Sequence, residues 1–131
     1  MTSYDPTYEN FTEKYLGQKV VKVTNTFERT IKKGELVYLN PWFGNAVEDI
    51  PALGTGYIDI NHEREISTEQ IEPTDNFAVG AVIYFDPGSD AAAGKLVDAV
   101  TDDEIAVGTI TAEQGTPGAQ TAVQFRPYVQ K

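Results

Sequence analysis

The sequence predicts an all-β protein, a small single-domain β-barrel or sandwich. Three observations predict it. Apolar and polar residues alternate at period two over several short stretches. Those stretches are rich in β-branched and aromatic side chains, which fit a pleated, half-buried surface. Turn sequences separate them at short intervals: Asn40-Pro41, Phe43-Gly44-Asn45, Asp86-Pro87-Gly88 and Gly115-Thr116-Pro117-Gly118. No interior segment sustains a helical period. The 131 residues, 40% hydrophobic and 23% charged, suffice for one domain with a modest core.

Taken in order, residues 1–16 stand apart as an N-terminal arm or short helix, ahead of a β body spanning residues 17–131. Asp5 suits a helix N-cap, Pro6 the first helical position and Gly17 the position after the last turn. Tyr8, Phe11 and Tyr15 then share one face, with Tyr4 just ahead of the cap. A segment this short does not hold a helix alone in water, so its aromatic face must dock on something. Lys19–Thr24, Glu35–Leu39, Tyr57–Ile60, Ala78–Phe85, Ile105–Ile110 and Thr121–Arg126 read as strands. Val37, Leu39, Val82, Tyr84, Val107 and Val123 are expected among the core positions.

The sequence also echoes itself. Gly34 to Pro41 reads GELVYLNP and Gly80 to Pro87 reads GAVIYFDP. Each predicts a strand stopped by Asn-Pro or Asp-Pro, a glycine-containing turn and a short returning strand at Ala46-Val47 or Leu96-Val97. The second unit carries a longer loop, Gly88 to Gly94. Shared strand-turn grammar and true duplication both account for such an echo.

Composition excludes several functions. With no cysteine there is no disulfide, thiolate zinc site or cysteine nucleophile. The formal net charge is -10, which repels nucleic acid phosphates. Residues 34–113 hold sixteen acids against two bases, whereas residues 1–33 and 114–131 each carry a net charge of +2. The ends can therefore touch something acidic, such as a neighbouring copy. No stretch is long enough to span a membrane and no secretion signal is expected. The single His62 has no serine in a nucleophile-elbow context and no companion metal ligands. Asp102-Asp103-Glu104 lacks the spacing of a calcium loop and reads as a solvated turn. No phosphate-cradling glycine motif is present. Neither a catalytic residue, a metal site nor a cofactor is expected. Trp42 and Phe43 follow Pro41 at a turn, where aromatics serve as a core plug or as a contact hot spot.

Several motifs together resemble a known family. They are Gly17-Gln18-Lys19-Val20, Lys33-Gly34-Glu35-Leu36-Val37, Phe43-Gly44-Asn45-Ala46-Val47, Val79-Gly80 through Asp86, Gly94-Lys95-Leu96, Ile105 through Ile110, and Ala122 through Arg126. The stretch from Gly17 to Phe125 is similar to the small phage capsid decoration, or head cement, proteins. Residues 1–16 extend beyond that pattern, and Asp59 to Asp75 is more acidic than it. The resemblance implies a non-enzymatic virion protein on the outer surface of an icosahedral head. Its partners would be the major capsid protein and copies of itself, as a homotrimer. Tyr4, Tyr8, Phe11, Tyr15, Trp42 and Phe43 are the candidate capsid or inter-subunit contacts. The competing readings are a small acidic β-fold hydrolase or lyase, and an acidic DNA-mimic inhibitor.

Overall fold

The computed structural model describes residues 19–61, 63–116 and 118–128. They form nine strands: β1 (Val20–Thr24), β2 (Leu36–Leu39), β3 (Trp42–Ala46), β4 (Thr55–Asp59), β5 (Ile66–Thr68), β6 (Val82–Asp86), β7 (Lys95–Val97), β8 (Ile105–Gln114) and β9 (Ala122–Pro127). Two antiparallel sheets result, ordered β1-β4-β3-β2 and β5-β9-β8-β6-β7. The described residues contain no helix and neither sheet closes on itself, so the all-β protein is a sandwich and not a barrel. The segment 1–16, expected as an arm or helix, lies outside the described residues, as does His62.

The two sheets are one topological unit used twice. The order β5-β9-β8-β6 repeats β1-β4-β3-β2, and β7 is an addition on the β6 edge. The repeat holds at the level of single hydrogen bonds. Gly34 and Gly80, at φ 88° and 89°, each occupy the third position of a turn closed by Glu35 N–H to Lys32 C=O or Ala81 N–H to Ala78 C=O, both 3.0 Å. This is the type II pattern, which demands a positive φ at that residue. Gly34 N–H then donates to Ala46 C=O, and Ala46 N–H to Glu35 C=O. In the second unit Gly80 N–H donates to Ile110 C=O, and Ile110 N–H to Ala81 C=O. One step along, Val37 pairs with Gly44 and Ile83 with Gly108. A Cβ on Gly44 would strike the Asp59 carbonyl oxygen of β4, and one on Gly108 the Arg126 carbonyl oxygen of β9.

Register assigns the rest. Val21, Val37, Leu39, Ala46 and Ile58 of the first unit correspond to Ile66, Ile83, Phe85, Ile110 and Phe125 of the second. Each set lines its own unit's hydrophobic core. The outer face of β2 and β3, carrying Leu36, Tyr38 and Phe43, packs onto the second unit's core. Phe43 meets Phe85 edge-on at 5.1 Å between ring centroids and Phe125 at 6.3 Å. Burying such a ring contributes about 2–3 kcal/mol by area. Between the units, the Gln70 amide accepts from Leu36 N–H (2.6 Å) and donates to the carbonyls of Leu36 and Gly94. Arg29 Nε donates to Ser89 C=O at 3.0 Å.

Two strand assignments need correction. Ile83 and Phe85 are the core residues of β6, both 0% exposed, whereas Val82 is 39% exposed and Tyr84 half-buried. Strand side chains alternate faces, so a shift of one residue exchanges them all. The near-continuous apolar run from Ala78 to Phe85 has no alternation with which to choose. Strand β5 lies inside the stretch Asp59–Asp75, where its short, partly exposed sequence Ile66-Ser67-Thr68 gives no periodic signal.

Candidate interaction surface

A groove of about 630 Å³ lies mostly on the first unit, with Pro87 and Asp103 of the second unit completing its lining. One wall is β1 and the residues after it, Val23, Thr26 and Phe27; the other is the β2–β3 turn, Leu39 through Trp42. The turn is tight because Leu39 pairs directly with Trp42 across Asn40 and Pro41, joined by a cis peptide bond. Tyr38 Oη and Asn40 Oδ1 lie 3.0 Å apart as hydrogen-bond partners, which sets the orientation of the turn's polar side. The far wall is held by Asn25, fully buried, whose Nδ2 faces the carbonyl oxygens of Arg29 (2.8 Å), Ile50 (3.2 Å) and Pro51 (3.1 Å). Its Oδ1 accepts from Phe27 N–H at 2.9 Å. Arg29 stacks 4.7 Å over the Phe27 ring and pairs with Glu35 at 2.9 Å.

Of the sequence-derived contact residues, Trp42 is half-buried in the groove wall. Phe43, its neighbour, points to the opposite face and is 1% exposed. Phe43 is therefore the core plug, and offers a partner no surface. Successive strand residues alternate faces, so the dipeptide puts one ring in the core and the other in the groove wall. Tyr4, Tyr8, Phe11 and Tyr15 lie outside the described residues. The groove as a whole is not visible in the sequence, since its walls meet only when the sheet curls.

Charge divides between the units. Residues 19–60 hold five bases and five acids, whereas residues 61–128 hold three bases and twelve acids. The groove thus lies mostly on the neutral unit, with Asp103 of the acidic unit in its lining. Within the acidic unit, Asp75 and Asp98 approach each other, each accepting a 3.0 Å backbone N–H, from Asp98 and Asn76 respectively. Burial, together with the charges of Asp98 and Glu72, raises the Asp75 carboxyl above its ordinary value. Nearby, Lys95 Nζ lies 2.8 Å from Glu72 Oε1. That hydrogen bond lowers the Glu72 carboxyl and raises the Lys95 ammonium.

The acidic run is a capped turn. Glu104 accepts from the backbone N–H groups of Asp102 (2.7 Å) and Thr101 (2.8 Å), which hold its carboxyl low. Among the described residues no three His, Cys, Asp or Glu side chains gather as metal ligands.

A family model described as phage cement protein matches residues 16–125. No curated protein and no solved structure matches the chain.

Proposed function

Because the chain belongs to the phage cement protein family, we propose that it decorates the outer surface of an icosahedral phage head as a structural, non-catalytic protein. In this reading it binds across neighbouring major capsid protein subunits, as a homotrimer, and reinforces the lattice at their seams. The family match over most of the chain is the observation that carries the reading. The two-unit sandwich is in keeping with it, because a rigid double core can transmit load between attachment points. Avidity supplies the mechanism: several weak contacts made by one trimer bind far more tightly than any one alone.

Residues 1–16 act as an arm outside the body formed by residues 17–131, and Tyr4, Tyr8, Phe11 and Tyr15 supply its contact area. Aromatic side chains bury large area at low rotamer cost and concentrate at interface hot spots. Burying two such rings contributes on the order of 3 kcal/mol, about a hundredfold in affinity. The direct test is co-sedimentation of the purified protein with expanded capsids, followed by imaging of the decorated particles. Density at subunit seams is the expected result. A protein that remains in the supernatant at saturating capsid concentration overturns the reading.

A further inference from the structure

The two units differ at one place. In the second, β7 lies along β6, with Tyr84, Phe85 and Asp86 opposite Val97, Leu96 and Lys95. On its other side β7 meets the segment after β5: Leu96 N–H donates to Gln70 C=O at 2.7 Å, and Glu72 N–H to Leu96 C=O at 2.9 Å. Leu96 is fully buried between them. The register equivalences convert these flanking residues into Tyr38, Leu39 and Asn40 on one side and Asn25, Thr26 and Phe27 on the other. Of those six, all but Asn25 line the groove of the first unit. The groove is the counterpart of the position that β7 fills.

We propose that this groove accepts an extended strand from the N-terminal segment, residues 1–18, of a second copy of the chain. The strand runs antiparallel to β2 as β7 runs antiparallel to β6. This rests on the reading above in that copies meet one another, and names the surface through which they do so.

The backbone favours a strand. β2 is a sheet edge. Since Ala46 bonds with Glu35, the antiparallel alternation turns the N–H and C=O groups of Leu36 and Tyr38 away from β3. Gln70 takes the Leu36 pair with its side-chain amide; the Tyr38 pair faces the groove. An exposed edge of this kind is a template for an added strand.

Sequence length and direction favour a second copy over the same chain. Lys19 leads directly into β1. Folding back at Gly17 would lay the segment antiparallel to β1, hence parallel to β2, the reverse of the β7 arrangement. A strand parallel to β1 within one chain needs a crossover of about a dozen residues, which would consume Tyr8, Phe11 and Tyr15. A donor copy has neither restriction, and eighteen extended residues reach up to about 60 Å. That reach lets the bodies of the two copies stay apart, so that most of the acids of their second units need not be brought together. The four aromatic residues of the segment supply the apolar side chains that the wall of Phe27, Leu39 and Trp42 calls for.

Trp42 is the chain's single tryptophan, so its emission reports on the groove alone. Two full-length variants are mixed: a donor carrying Trp42→Phe, which keeps its segment but is silent, and an acceptor carrying Tyr4→Ser, Tyr8→Ser, Phe11→Ser and Tyr15→Ser. The expected result is a saturable blue shift of the acceptor's emission. The acceptor alone should self-associate at least about tenfold more weakly than the parent chain. A synthetic peptide of residues 2–16 should reproduce the shift in the acceptor and dissociate parent oligomers, whereas a scrambled peptide should do neither. Emission unmoved by donor and peptide overturns the proposal, as do parent oligomers that survive saturating peptide. Emission that responds to capsids but to neither donor nor peptide assigns the groove to a capsid segment, overturning the proposal while leaving the decoration reading intact.

Discussion

In the first unit, Ile31 is tied across the fold by a pair of backbone bonds with Ile50, at 2.9 and 2.8 Å. At the corresponding place in the second unit, Phe77 exchanges the same two bonds with a side chain: its N–H donates to Gln120 Oε1 and Gln120 Nε2 donates to its C=O, both 3.1 Å. Gln120 is 1% exposed. Gln120→Ala therefore leaves a buried N–H and a buried C=O without their partner, and should cost about 3 kcal/mol in chemical denaturation. Gly80 tests the turn. No atom crowds the place its Cβ would take, so Gly80→Ala should cost only the positive-φ penalty of about 1–2 kcal/mol. Asp75 gives a pH signature. Its raised pKa favours the protonated carboxyl in the folded state. The stabilisation is complete below the unfolded value, 3.8, and is lost as pH rises through the folded value. At pH 7 the charged carboxylate faces Asp98 and Glu72, so Asp75→Asn should raise the melting temperature there. The gain should vanish near pH 3, where the parent carboxyl is protonated too.

Among the elements, β6 separates pattern from packing. The echo GELVYLNP and GAVIYFDP is legible because it records local chemistry, a type II turn and a strand stopped by proline. Which face of β6 is buried is not local. It depends on the sheet lying under Ile83 and Phe85, so an apolar strand with Val82 and Tyr84 on its other face reads equally well either way. Ile83→Ala should accordingly destabilise by about 3 kcal/mol and Val82→Ala by no more than about 0.5 kcal/mol, measured as paired urea midpoints. β3 and β7 were foreshadowed only as returning apolar pairs. β5 gave no periodic signal because an edge strand of three residues buries too little side chain to need one.

For the whole molecule, charge bears on the proposed meeting of copies. The acidic residues cluster in the second unit, and the groove lies mostly on the neutral first unit, with Asp103 of the second in its lining. Apart from Asp103, the proposed association through the groove would bring the second units' acids together mainly at a distance, where salt screens them. Raising ionic strength from low to moderate should leave self-association unchanged or strengthen it, as read by sedimentation velocity. A contact built on opposite charges would weaken instead.

The sequence by itself determined the all-β class, most strands, the turn glycines and prolines, and the family, because each is a matter of local alternation and residue type. It also placed Trp42 and Phe43 at a turn. The tertiary structure alone decided that Phe43 plugs the core while Trp42 faces a groove, and that the echo extends to two whole sheets. It alone revealed that β7 has a counterpart position in the first unit. These depend on which strands become neighbours, and strand order is set by packing between residues far apart in the chain. The first unit's β2 and β3 are joined by a tight turn, whereas their counterparts β6 and β8 are separated by a loop and an added strand. Only their hydrogen-bond registers reveal that they are the same pair.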